Sequence, residues 1–396
     1  MKWPSLFQFR TFTCSAAFLL CCTGALAAPF VPATDSVVLE RLRIGPVDKT
    51  TREIRQLRRA CEQSPQDVRL ATLLARRLIS KSRETSDPRY LGQAESVLGR
   101  WWNQTNPPVE VLVLRATIRQ STHHFAPALA DLDRVLALDP RNAQACLTRA
   151  TILQVRGDYA EARRSCEPLK HLTSELIAVT CLSGVQSVTG DATGAYEMVG
   201  RHLQRATEAS ASERIWAITL LAEIAARLNR TSEAEAHFKS ALALGERDPY
   251  LLSAYADFLL DQKRPRRVIE LLQDETRADS LLLRLALAES ALGGAKAREH
   301  IELLKARFEA SSQRGDTVHQ REEARFQLHL IGNKAKALAL ATENFTVQRE
   351  PADVRILLEA AIASRDSNAR NNAEQFVRTN KLEDTQLEAL LRTASR

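Results

Sequence analysis

The signatures by which enzymes usually announce themselves are missing from this chain of 396 residues. It has no glycine-rich phosphate loop, no helix with paired histidines and no CxxC pair, which removes the ordinary sequence marks of nucleotide, zinc-protease and thiol-redox chemistry. Aromatic residues make up 5%, too few for a base-stacking platform. The formal charge of +7 is spread through both halves rather than gathered in a stripe, so no nucleic acid is expected as partner. Beyond residue 27 no stretch stays apolar for the roughly 20 positions that a membrane span needs. No cofactor and no metal are expected, and no residue is assigned as catalytic. A hydrolase hidden in the chain is the weakest reading, because nothing assembles a nucleophile, a base and a stabiliser.

What is present is one phrase that returns. Arg115-Ala116-Thr117-Ile118-Arg119-Gln120 comes back 34 residues later as Arg149-Ala150-Thr151-Ile152-Leu153-Gln154, with Phe125 becoming Tyr159 and Ala128 becoming Ala162. A fixed period of this size marks a helical repeat array, in which each unit hides its apolar face only against its neighbours. Ala116, Ala128, Ala150 and Ala162 are the small residues that let two antiparallel helices approach. Leu112, Leu132, Val135 and Leu138 give each helix an apolar stripe. Gly157 can end one helix in a left-handed turn, and Asp158 with Glu161 is expected to cap the next. Ser232 and Glu235 read as a second capping box.

The two ends differ from the repeat. Residues 1–27 read as a secretory signal: Lys2 and Arg10 precede an apolar run from Ala16 to Leu26 that ends in Ala25-Leu26-Ala27. Its removal lowers the formal charge from +7 to +5. Cys21 and Cys22 lack the small residue that precedes a lipid-bearing cysteine, which leaves a lipoprotein as the minor option. The mature chain is therefore expected to be periplasmic or secreted. Residues 28–50, punctuated by Pro29, Pro32, Gly45 and Pro46, read as an extended arm. Residues 51–396 read as a single array of about nine helical hairpins with a capping helix near Asp384 to Leu391.

The residues quoted above resemble the tetratricopeptide repeat family, whose motif has small residues at two positions, an aromatic in the turn between helices and a proline at the unit's end. Residues 109–140 carry the resemblance best and close with Asp139-Pro140. Arg115 and Arg149 stand where the family usually has Leu, Arg119 where it has Tyr, and Ser174 where the second unit would close with Pro. The resemblance implies an all-α, right-handed superhelical solenoid of antiparallel hairpins. It also implies an inner groove lined by the second, fifth, ninth and thirteenth positions of each first helix. Those positions give Trp216 and Glu223, then Tyr250, Asp257 and Asp261, with Glu289 extending the acidic row. In the earlier units the same face is neutral, with Glu110, Val113, Thr117, Leu147 and Thr151. Aromatics beside carboxylates suit an extended peptide with basic and apolar side chains, although packing against the next helix would also account for Trp216 and Tyr250.

Other groups carry two readings each. Arg115 and Arg149 form either an anion ladder or, more simply, stems laid along the hairpin with a carboxylate at the tip. Cys146, Cys166 and Cys181 lie in adjacent helices and allow one disulfide among them; the alternative is that they are buried small apolar residues. His123-His124 sits in a turn without further ligands. His319 and His329 lie near Glu322, Glu323 and Arg325 on what reads as one helix, where ion pairing at the surface is expected. The polar segment Gly315 to Glu323 interrupts the array and marks a candidate contact site. The function expected is a non-enzymatic scaffold that binds peptide or protein segments; the alternative is an assembly or export factor for an exported polysaccharide.

Overall fold

The computed structural model describes residue 34, residues 49–316 and residues 318–394. The expected signal and almost all of the expected arm lie outside these residues. Two compact units are distinguished, Met1–Asp48 and Lys49–Arg396; in the first, Thr34 is an exposed bend.

In the second unit the secondary structure of the described residues is all helical, with no strand among them, and makes an array of helical hairpins. Helix α1 (Lys49–Gln63) leads into nine hairpins: α2 (Val68–Thr85) with α3 (Arg89–Trp102), α4 (Val109–Ser121) with α5 (Phe125–Leu138), and α6 (Ala143–Val155) with α7 (Tyr159–Cys166). Next come α8 (Glu175–Gln186) with α9 (Ala192–Arg205), α10 (Ala211–Arg227) with α11 (Thr231–Leu242), and α12 (Pro249–Asp261) with α13 (Pro265–Leu272). The last three are α14 (Asp279–Ala291) with α15 (Lys296–Gln313), α16 (Gln320–Phe326) with α17 (Lys334–Val347), and α18 (Pro351–Ser364) with α19 (Ser367–Asn380), followed by α20 (Thr385–Ala394). Each first helix packs on its own second helix and on the first helix of the next hairpin.

The small residues explain the close approach. Ala116, Ala128, Ala150 and Ala162 are all buried at hairpin contacts, where a larger side chain would wedge the helices apart. Leu112, Leu132 and Val135 are buried as the stripe requires, but Leu138 is 67% exposed, because it is the last residue of α5 and has turned past the contact. The helix starts depart from expectation in two places. Asp158 accepts no capping hydrogen bond and pairs with Arg156 at 3.1 Å, and Glu161 goes to Arg164 at 2.7 Å. The box expected at Ser232 and Glu235 does not form: α11 begins two residues earlier than it requires, with Arg230 at the N-cap, and the Glu235 carboxylate is taken by Arg264 at 2.7 and 3.0 Å. A capping box does stand at Ser210 and Glu213, opening α10. Ser174, where the repeat lacks its proline, caps α8 through the amide of Ile177.

The array coils until its turns meet its own later loops. The turn after α2 approaches the loops before α12 and α14, where Asp248 and Arg277 act electrostatically on Arg83 and Asp87. His123, in the turn of the second hairpin, lies 3.2 Å from the Gln348 amide and feels the charges of Arg321 and Glu322. At the third turn the Arg349 amide donates to the carbonyl of Val155 at 2.7 Å. At the fourth, the Ala192 amide donates to the Glu383 carboxylate at 2.6 Å. One apolar core consequently joins Ala150, Tyr159 and Cys166 to Val354, Leu357 and Ala373. Gly157 makes that approach possible: its φ is +79°, and a Cβ there would lie 3.0 Å from the Phe376 ring.

Candidate functional site

The first helices present one stripe each to the inner face of the coil. On α10 it runs Trp216, Leu220, Glu223, Arg227, at helical spacing. One period of 34 residues later the same places on α12 hold Tyr250, Asp257 and Asp261. Trp216 and Tyr250 remain 37% and 57% exposed, large apolar surface that ordinary packing would have covered. The Tyr250 hydroxyl reaches back to donate to Glu223 at 2.8 Å.

The other carboxylates of the row are already matched by the chain's own arginines. Asp257 accepts from Arg284 of α14 and from Arg325 of α16, both at 2.6 Å. Asp261 receives both nitrogens of the Arg355 fork from α18, each at 2.8 Å, the geometry that gives a guanidinium–carboxylate pair its strength. Arg355 also meets Glu359 at 2.8 Å, and Glu359 meets His329 at 2.9 Å. Arg321 lies 3.0 Å from Glu350, 3.4 Å from Asp353 and 3.4 Å from Glu322. Since α12 and α18 are three hairpins apart, these bonds cross the interior of the coil.

Proton affinities follow from that arrangement. Burial pushes the Glu223 carboxyl up to about 7, against the Tyr250 hydrogen bond and the charge of Arg227. The negative charge of Glu223 holds the Tyr250 phenol well above its ordinary value. Burial would raise Asp257 too, but Arg284 and Arg325 overcome it and hold that carboxyl low. Glu359 is likewise held at about 2, by His329 and Arg355 against burial. Burial raises Asp353 to about 6 despite Arg321, and lowers His123 to about 4.

Several expected placements are corrected. Glu289 does not extend the acidic row; it is buried inside the seventh hairpin with its carboxylate 2.7 Å from His300. The reason is register: one period beyond Asp257 stands Ala291, not Glu289. Arg115 is buried against Asp131 at 2.6 and 2.8 Å, and Arg149 pairs with Asp133 at 2.9 Å and Ser165 at 2.7 Å, so the two guanidinia make no ladder. His319 and His329 do not share a helix, because α16 starts at Gln320 and gives way to a π-helical turn at Gln327–Ile331. Glu322 and Glu323 of the polar segment are buried rather than offered to solvent; Thr317 lies outside the described residues. Cys166 is bonded to Cys181, while Cys146 is a buried free thiol and Cys61 a half-buried one. Among the described residues no group of three or more His, Cys, Asp or Glu is placed to hold a metal, and no helix is long and apolar enough to cross a membrane.

Reasoning from the repeat put Glu223, Asp257 and Asp261 on one face but misplaced Glu289, and it did not find their counterions. Arg284 carried a readable signal, since it stands one period after Tyr250 and so belongs on the same inner face. Arg325 and Arg355 carried none, because their hairpins have lost the period.

No family model matches the chain, and no curated protein matches it. Solved structures similar to it include a tetratricopeptide repeat protein from Parabacteroides merdae, at 15% identity over 72% of this chain and 98% of that one, with a TM-score of 0.35. Human IFIT1, solved as a dimer with m7Gppp-AAAA, is 14% identical over 88% of this chain and 87% of its own, with a TM-score of 0.48. A Rap protein complexed with competence and sporulation factor is 12% identical over 87% and 93%, also at 0.48. Likeness this distant attaches no role to any residue.

Proposed function

We propose that this chain is a non-enzymatic interaction scaffold, exported through a cleaved leader to the periplasm or beyond, that takes a segment of a partner protein along the inner face of its coil. The observation that carries the reading is the pair of exposed rings, Trp216 and Tyr250, one period apart on that face and beside the Glu223 carboxylate. Exposed aromatics in a concave site are the commonest anchors of a protein interface. The disulfide between Cys166 and Cys181 supports an oxidising compartment. The test is capture from an envelope extract by the wild type and by Trp216→Ala with Tyr250→Ala. The reading expects bands that the double variant loses while melting as the wild type does; equal capture by both would end it.

A second reading, a factor in the assembly or export of a polysaccharide, is favoured by one cleft of about 550 Å³. It lies between α17 and α19, where Phe345 and Phe376 are flanked by Thr342, Arg349, Asn372 and Gln375. Hydroxyl and amide groups, with one guanidinium, beside aromatic rings suit sugar hydroxyls and ring faces. Retention on a glycan array that Phe345→Ala and Asn372→Ala abolish would favour it; no retention would remove it.

A further inference from the structure

Among the carboxylates of the inner face, Glu223 stands apart. Asp257, Asp261, Glu350, Asp353 and Glu359 each have a guanidinium within 3.4 Å. Among the described residues Glu223 has one hydrogen-bonding neighbour, the neutral Tyr250 hydroxyl. The nearest cation on its own helix, Arg227, acts on it only through space, since its guanidinium holds the carbonyl and hydroxyl of Ser187, both at 2.9 Å. An uncompensated carboxylate inside a protein is costly unless something positive meets it.

The ring faces complete the picture. Trp216 lies two helical turns from Glu223 on the same stripe of α10, and Tyr250 occupies the Trp216 position on α12 and leans onto Glu223. A carboxylate with two exposed aromatic rings on one concave face is the setting in which an organic cation binds, held by charge at one side and by ring quadrupoles at the others. On the neighbouring hairpin the chain shows what such a cation looks like, since Asp257 is met by two arginines.

We infer that Glu223, Tyr250 and Trp216 form a recognition site for one basic side chain, an arginine or lysine, of the bound segment. The site deepens the scaffold reading and rests on it. The cation takes the place that Arg284 and Arg325 fill at Asp257 one hairpin further on, and the flanking apolar side chains of the segment lie on the rings. The site has no role for an acidic segment, which would meet Glu223, Asp257 and Glu350 together.

The experiment uses the mature chain grown with 5-fluorotryptophan, the Trp216 fluorine signal being assigned with Trp216→Phe. The probe is acetyl-Leu-Arg-Leu-amide, with the Lys peptide as the second cation and the citrulline peptide as the neutral isostere. The site predicts that both cations shift the Trp216 signal, that citrulline binds about ten-fold more weakly, and that Glu223→Gln removes the preference without lowering the melting midpoint. Equal response to arginine and citrulline, a preference that survives Glu223→Gln, or no shift at saturating peptide would overturn it. Selection of random peptides on the immobilised chain separates this failure from that of the scaffold reading. Peptides that depend on Tyr250 but carry no basic residue would remove the cation and leave the inner face as the binding surface. No peptide dependent on Tyr250 would remove both.

Discussion

The Tyr159 hydroxyl donates to the main-chain oxygen of Arg349 at 3.3 Å, across 190 residues of sequence. Tyr159 is the aromatic of the turn in its repeat, and in a stretched array it would pack only within its own hairpin. Here it also packs on Phe376, with ring centres 6.2 Å apart, and so ties an early coil to a late one. The inner face is thereby enclosed, which is why carboxylates and arginines from hairpins far apart in sequence can meet across it.

The seam should be sensitive to a single methyl group. Gly157 and Gly245 both have positive φ, at +79° and +85°, but a Cβ at Gly157 meets Phe376 and Arg349 whereas one at Gly245 meets nothing within 4 Å. Both alanine variants incur the left-handed backbone cost of about 1 kcal/mol. Gly157→Ala should lose about 1 kcal/mol more through the clash, read as a lower midpoint of urea unfolding. Equal midpoints would mean that the seam yields freely.

Asp261 and Arg355 should be coupled. A double-mutant cycle with Asp261→Asn and Arg355→Gln is expected to give an interaction of about 1–2 kcal/mol, as for a half-buried bidentate pair. Strictly additive losses in unfolding free energy would show that the pair does not hold the inner face closed.

Glu223 sets a pH dependence with a definite sign. Its carboxyl is raised from 4.5 to about 7 in the folded chain, so the unfolded chain gives up its proton first and the associated stability, present in full below pH 4.5, is lost as pH rises through 7. The groups that act on it are Arg227 from α10, Tyr250 and Asp257 from α12, and Glu350 from the loop before α18. Glu223→Gln should melt as the wild type does at pH 4.5 and a few degrees higher, roughly 2–4 °C, at pH 8. A difference of the same size at both pH values would refute the assignment, since only the charged form is costly.

Reduction should weaken the middle of the array. The Cys166–Cys181 bond closes a loop with a sequence separation of 15, a length for which the loss of unfolded-chain entropy is worth about 3 kcal/mol. The denaturation midpoint is expected to fall with a reductant and to fall equally in Cys166→Ser without one. An unchanged midpoint would mean that the link adds nothing to stability.

Much of the fold was legible because its determinants are local. Ala116, Ala128, Ala150 and Ala162 recur at a fixed interval for a steric reason, and the hairpins follow from them even where the period fades after residue 174. The inner face was legible for the same reason: Trp216, Tyr250, Glu223 and Asp257 fall in register. What could not be read is everything that depends on how tightly the coil winds. The contact of Gly157 with Phe376, the pairing of Asp261 with Arg355 and the burial of Glu322 each join residues whose separation encodes nothing. Capping at Asp158 and Glu235 was misread because nearby arginines compete for the same carboxylates, and a two-residue shift in the start of α11 was enough to remove the box.

The account turns on the coil closing on itself, and a cross-link tests that directly. A Cβ placed on Gly190 would stand 2.9 Å from the Cβ of Lys381, within reach of a disulfide after a small adjustment. The double variant Gly190→Cys with Lys381→Cys, made in a Cys61→Ser, Cys146→Ser background and oxidised at low protein concentration, should form this bond within one chain and in high yield, seen by peptide mapping of the oxidised monomer. Two thiols that remain free, or that link only between chains, would show that the fourth turn does not meet the segment before α20, and the enclosed inner face would fall with it.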